Sequence, residues 1–178
     1  FFRVFADAFP EMSSSWEMLL SIIAVLSMFV GNLGAIMQTN IKRMLAFSSI
    51  SHAGYILMAV IAKDSLGSSS LLFYMLSYTF MTFGVFGIVI ILGRKGEENL
   101  EIKNYSGLAY KHPVIALSMT IFLLSLGGLP PFAGFVAKFY LFSAAIQEGL
   151  LTLVIIAVLN SAISFYYYLK VVVFMYMK

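Results

Sequence analysis

Lys138 is a lone charge in an otherwise uncharged stretch of about 34 residues, Val114 to Gln147, which is broken by the run Gly127-Gly128-Leu129-Pro130-Pro131. An ammonium in hydrocarbon costs at least ~2.5–3.5 kcal/mol on insertion scales, so a chain that keeps one there supplies water or a partner, or uses its titration. Lysine can exchange a proton when its surroundings change; arginine, with a pKa above ~12, effectively cannot. Snorkelling falls short, because Lys138 lies about nine residues, or ~14 Å, from the outer end near Gln147, and a lysine stem spans only ~6 Å. Two readings remain for this residue, a permanent structural ion pair and a titrating proton site.

The break beside Lys138 is part of the same argument. As one straight helix the stretch would be roughly 51 Å long against a hydrocarbon core of ~30 Å. Proline removes a backbone donor and clashes with the preceding turn, so two glycines and two prolines place the interruption between Leu126 and Phe132. Unwound backbone at membrane depth is tolerated only inside protein or beside water, which puts this segment in the bundle interior. The carbonyl end of the half-helix that stops near Leu126 would favour the protonated amine if it points at it.

Two further polar faces could carry protons. Ser48, His52 and Tyr55 stand at i, i+4 and i+7 on one helix face, with Ser49 and Ser51 nearby. Histidine exchanges protons near neutral pH, while hydroxyl residues also tie helices together, so both a proton relay and an interhelical cluster fit this pattern. Tyr74, Tyr78 and Thr82 line a second face, with Thr79 alongside, and admit the same two readings. Asn160 reads as an interhelical amide, Lys42-Arg43 as a surface anchor, and Asp64 and Glu148 as solvated outer-loop acids.

These residues need a membrane around them. Of 178 residues, 61% are hydrophobic and only 11% charged, with a mean hydropathy of +0.97, whereas ordinary soluble domains carry roughly 25% charged residues. Five segments are long enough to cross: Met18–Gln38, Met44–Ala62, Ser65–Gly93, the broken Val114–Gln147, and Leu150–Leu169. Phe1 to Phe9 reads as the tail of an earlier helix stopped at Pro10. The expected fold is therefore all-α, a polytopic transmembrane bundle of about five spans plus the end of a sixth, with one span discontinuous.

Charge distribution orients it. Lys42, Arg43, Arg94, Lys95, Lys103, Lys111, Lys170 and Lys178 fall on one side of this arrangement and only Arg3 and Lys63 on the other, a positive-inside bias that places the first group in the cytoplasm. Tyr166, Tyr167 and Tyr168 are then expected in an aromatic belt at the inner interface. The net charge of +3 is spread over loops between apolar spans, so it reports topology and no nucleic-acid partner. The absence of cysteine excludes disulfides, thiolate metal sites, iron–sulfur ligation and cysteine nucleophiles. No phosphate-cradling glycine loop is present, and the opening Phe1-Phe2-Arg3 suggests an internal piece of a longer protein.

The stretch Asn40-Ile41-Lys42-Arg43-Met44-Leu45-Ala46-Phe47-Ser48-Ser49-Ile50-Ser51-His52-Ala53-Gly54-Tyr55 resembles the signature of the antiporter-like membrane subunits of respiratory NADH:quinone oxidoreductase. So does Leu126-Gly127-Gly128-Leu129-Pro130-Pro131-Phe132-Ala133-Gly134-Phe135-Val136-Ala137-Lys138-Phe139-Tyr140. Asn40, where other members usually carry aspartate, and the run Leu159 to Lys170 point to the subunit N branch. The resemblance covers essentially the whole chain.

It implies a single transmembrane domain, residues 1–178, within a 14-helix subunit: the end of helix 8 and helices 9 to 13. Lys138 then matches the family's lysine on the broken twelfth helix, a member of the charged chain through which protons are translocated. The glutamate and lysines of the preceding helices would lie before Phe1. The resemblance implies no cofactor on this chain, with NADH, flavin, iron–sulfur clusters and quinone on partner subunits. It further implies lipid and other membrane subunits as partners, and a bacterial inner (cell) membrane as location. The expectation is thus a proton-translocating subunit that couples quinone reduction to pumping, with His52, Ser48, Tyr55, Tyr78 and Thr82 as relay candidates. A cation/proton antiporter subunit and a purely structural membrane-arm subunit are the alternatives.

Overall fold

A computed structural model of the chain describes residues 13–62, 65–93 and 100–177. They form seven α-helices: α1 Ser13–Ile36, α2 Ile41–Ile61, α3 Ser65–Leu92, α4 Leu108–Lys111, α5 Pro113–Gly127, α6 Ala133–Gln147 and α7 Leu151–Met177. A short 3-10 turn, Ile102–Tyr105, precedes α4, and no strand occurs among the described residues. Helices α1, α2, α3 and α7 are each long and apolar enough to cross a membrane, whereas α5 and α6 are shorter apolar helices. At 15 residues apiece each half reaches roughly 22 Å, so the two together supply the fifth, discontinuous crossing. The expected helix tail at Phe1–Phe9 lies outside the described residues.

Local chemistry sets the helix ends. Asn40 caps α2, its side chain accepting from the Arg43 N–H at 3.1 Å, the role that makes asparagine a favoured N-cap. Pro113 opens α5 at a position where its missing N–H costs nothing. That helix closes at Gly128, whose left-handed φ of 84° would burden a residue with a Cβ. The closing pair runs from the Gly128 N–H to Ser125 O and from the Leu129 N–H to Leu124 O. The Pro130–Pro131 peptide is cis, and α6 restarts at Ala133.

Three expectations shift. Helix α1 begins before Met18 and stops at Ile36 rather than Gln38, and α2 starts at Ile41 rather than Met44, because the Asn40 cap defines its end. Helix α7 does not stop at Leu169 but runs to Met177, since Val171 and Met175 are buried in the core and no breaker interrupts the apolar run. The tyrosine belt dissolves accordingly: Tyr166 is 62% exposed, but Tyr167 and Tyr168 are 1% and 0% exposed and belong to the interior.

Lipid-type side chains cover the outside, among them Met18, Leu72, Phe80, Phe83 and Ile90, as expected where the solvent is hydrocarbon. Two apolar cores lie within. One gathers Met44, Val85, Met119, Leu123, Val171 and Met175 towards the end of the bundle that carries Lys42 and Lys111. The other gathers Trp16, Met28, Tyr55, Met58, Leu141 and Val154. Tyr78 packs against both, so the polar residues around it sit at the junction. The loop before α4 docks on the α1–α2 turn through Ile41 N–H to Leu100 O (2.8 Å) and Ile102 N–H to Thr39 O (2.9 Å). Lys170 reaches Gln38 O at 3.4 Å, so the basic residues described there gather at one end. Arg3, Lys63, Arg94, Lys95 and Lys178 lie outside the described residues.

Candidate functional site

Lys138 is 4% exposed, on the second turn of α6. Its Nζ donates to Ser161 Oγ of α7 at 2.8 Å, to Gly127 O at 3.1 Å and to Leu126 O at 3.3 Å. These three acceptors match the three donors of an ammonium. Two of them are the last carbonyls of α5, the partially negative end of a helix macrodipole. The break thus does two things at once: it frees those carbonyls from intrahelical bonding and turns them to face a charge on the next half-helix. The Tyr55 ring lies below, 5.1 Å from Nζ to its centroid, within the range of a cation–π contact.

Close backbone approach holds this geometry. A Cβ on Gly134 would overlap the Ser125 carbonyl, so only glycine lets α6 cross α5 here. The Gly134 N–H is in turn bonded to Ser125 Oγ at 3.0 Å. A Cβ on Gly128 would come within 3.0 Å of Lys138 Cδ and 3.2 Å of its Nζ. A cavity of about 390 Å³ opens beside the amine, lined by Gly128, Phe135, Phe139, Ser161 and Phe165 among others. That is room for several waters at ~30 Å³ each.

His52 sits in a second polar group, 3% exposed. Its Nδ1 lies 2.6 Å from the Tyr74 hydroxyl and its Nε2 3.3 Å from the Tyr168 hydroxyl, so each ring nitrogen faces a group that can give or take a proton. The Tyr78 ring lies against the imidazole, tilted by 33° with 4.6 Å between centroids, and its hydroxyl donates to Ser49 Oγ at 2.8 Å. Of the relay candidates, the structure brings His52, Tyr55 and Tyr78 together. Ser48 donates to Leu45 O of its own helix at 2.8 Å, a local bond common for helical serines, and its oxygen also meets the Tyr168 hydroxyl that faces His52. The Thr82 hydroxyl is buried and makes no hydrogen bond among the described residues. It faces a narrow void with Ser48, Ser49, Tyr78 and Leu126.

Tyr74, from the second face, contacts His52 directly. Two residues join that were not foreseen: Ser161 and Tyr168 contact the candidate residues, and Ser161, Ser164 and Tyr168 repeat at helical spacing along α7, a signal of the kind that marked Ser48, His52 and Tyr55. A separate amide cluster crosses α1, α2 and α7. Asn32 Nδ2 donates to Asn160 O at 2.9 Å and Oδ1 at 3.0 Å, while Asn32 Oδ1 accepts from Ser51 at 3.0 Å and Tyr167 at 3.1 Å. Among the described residues no three His, Asp or Glu side chains converge to hold a metal.

Comparison with known proteins agrees with this architecture. The chain is 55% identical over 176 residues to NADH-quinone oxidoreductase subunit N of Trichlorobacter lovleyi, covering 99% of the chain and 36% of that relative. It thus spans little more than a third of the length of the curated relatives it matches. Among solved structures, it superimposes on part of respiratory complex I from Thermus thermophilus with a TM-score of 0.76 and 34% identity, over 90% of this chain and 36% of that one. It superimposes equally on a chain of the Mrp complex from a Dietzia species, with a TM-score of 0.89 and 28% identity, over 99% of this chain and 33% of that one. The family described as NADH:quinone oxidoreductase/Mrp antiporter, transmembrane, matches residues 1–164, and this integral membrane chain belongs to it.

Proposed function

We propose that the chain is part of a 14-helix, proton-translocating membrane subunit of a bacterial NADH:quinone oxidoreductase, with Lys138 as the residue that takes up and releases the proton. The observation that carries this reading is the clasp of the Lys138 ammonium by the Leu126 and Gly127 carbonyls and Ser161 beside a cavity of about 390 Å³. Acceptors of this kind stabilise a charge at the midplane without neutralising it, so the proton remains exchangeable. Drawing the amine off the carbonyls into the cavity, or moving α5 against α6, weakens the clasp and favours release. The Gly128–Phe132 segment is the joint at which such a movement costs least, since it lies between the two half-helices and is held only by capping and turn bonds.

The energies are commensurate. Moving one charge through 100 mV takes ~2.3 kcal/mol, about what one charge-assisted hydrogen bond contributes. Loss or gain of a single acceptor is therefore enough to gate the transfer. His52, between the Tyr74 and Tyr168 hydroxyls, would pass protons by exchanging tautomers, with Tyr78 and Ser49 leading towards the Lys42 end. Ser48 would join through the Tyr168 hydroxyl, and Thr82 across the narrow void it shares with Ser49 and Tyr78. NADH, flavin, iron–sulfur clusters and quinone would belong to partner subunits, and this chain to a bacterial inner (cell) membrane.

The test uses the full-length parent in its assembled complex, with electron transfer and proton pumping measured side by side for Lys138→Ala and Lys138→Arg. Both rates should fall about tenfold or more at unchanged assembly; persistence of both at wild-type stoichiometry would make the lysine structural. A second reading, a cation/proton antiporter subunit, is favoured by the TM-score of 0.89 to a chain of an Mrp complex. Transport that requires sodium would select it.

A further inference from the structure

Lys138 has a fourth contact that is neither a hydrogen bond nor an ion pair. Its ammonium lies over the face of Tyr55, 5.1 Å from the ring centroid, and Tyr55 is 1% exposed. The ring is itself wedged edge-on against His52 at 5.9 Å and packs against Tyr74 at 6.4 Å and Phe142 at 6.3 Å. It therefore cannot tilt away from the amine without moving three other rings. The Tyr55 hydroxyl lies towards Asn32 and Ser161 but makes no hydrogen bond of regular geometry among the described residues. A tyrosine that passed protons through its oxygen would be held by that oxygen. Here the ring is what is held.

We infer that Tyr55 is a positioning residue for Lys138: its π face keeps the ammonium seated against the α5 carbonyls, and its hydroxyl relays no proton. The physical basis is the negative face of the aromatic quadrupole, whose attraction for a cation grows when both are withdrawn from water. The face adds a fourth contact to the Ser161 hydroxyl and the two carbonyls, and so helps to hold the charge in one seat. The same ring contacts both Lys138 and His52, which couples the seat of the amine to the histidine cluster. This inference rests on the assignment of Lys138 as the proton-exchanging group.

The two roles for Tyr55 predict opposite outcomes. In the full complex, Tyr55→Phe keeps the face and loses the hydroxyl, and should pump within about twofold of wild type. Replacing Tyr55 by phenylalanines carrying one, two and three ring fluorines drains the π face at nearly constant shape, and should lower pumping per assembled complex stepwise to about fivefold, equivalent to about 1 kcal/mol and a modest part of a desolvated cation–π contact. Because the fluorinated rings pack alike, a structural role would leave the series flat. A flat series, or a Tyr55→Phe variant that falls as far as Lys138→Ala, would overturn the inference. Lys138→Ala measured in parallel separates the two claims: if it pumps normally, the lysine assignment fails, whereas loss there with a flat fluorine series removes only the role of Tyr55.

Discussion

Two buried polar clusters lie a few residues apart in this bundle and are built on different principles. Around Asn32, every group is neutral and each bond crosses between long, continuous helices: Asn160 and Tyr167 on α7, Ser51 on α2. Around Lys138, one group is charged, two of its three acceptors are backbone carbonyls freed by a helix break, and a cavity adjoins them. The first arrangement has a single good configuration and costs free energy to disturb. The second has a charge whose partners sit on the end of one half-helix and can be displaced without breaking a helix. Burial of polar atoms is therefore no mark of function by itself; a displaceable charge beside space is.

The contrast breaks most severely at Lys138 itself. Lys138→Met should abolish proton pumping in the assembled complex while leaving its thermal stability equal or raised, because an apolar side chain of similar volume avoids the desolvation cost of a buried charge. A melting curve on the purified complex, paired with a pumping assay, checks both halves.

Asn32→Ala should do the reverse. Its partners Ser51, Tyr167 and Asn160 each lose an acceptor or donor, for a destabilisation of about 2 kcal/mol, read as a lower melting temperature or reduced assembly. Pumping per assembled complex should stay at the wild-type rate. If Asn32→Ala instead stops pumping in stable complexes, the two clusters are one functional unit.

Gly128→Ala sharpens the picture from the backbone side. The residue's φ of 84° costs an alanine about 1 kcal/mol, and the added methyl crowds Lys138 Nζ. A pumping loss of about fivefold, with assembly only slightly reduced, is expected from that displacement.

The smallest effect belongs to Ser161→Ala. One acceptor of three is lost, but the adjoining cavity admits a water in its place, so pumping should fall only about threefold. A fall as large as that of Lys138→Met would make the Ser161 hydroxyl a link in the proton path.

Much of this was legible in the residues. Four long crossings and one broken one follow from apolar runs of about 20 residues and from Gly127-Gly128 and Pro130-Pro131, because hydrocarbon allows little besides helices and proline ends them. Tyr167 and Tyr168 were read as a belt because aromatic residues near a span end usually lie at the interface, yet α7 continues past them and the packing of Val171 and Met175 draws them inside. Ser48 shares a helical face with His52 and bonds both Leu45 O of its own helix and Tyr168 on α7, partners that spacing alone cannot reveal.

By itself the sequence determined that the chain is a helical membrane bundle, where its fifth crossing breaks, and that Lys138 is the one charge left beside that break. Composition and periodicity carry that information because the bilayer penalises every unpaired polar group. Only the tertiary structure decided which groups meet: the α5 carbonyls on the ammonium, Ser161 from α7, the Tyr55 face, and His52 between Tyr74 and Tyr168. Those contacts join residues 11 to 116 positions apart. They depend on how helices cross, at points such as Gly134 against Ser125 where backbone touches backbone, and helix crossing is set by packing that no single segment encodes.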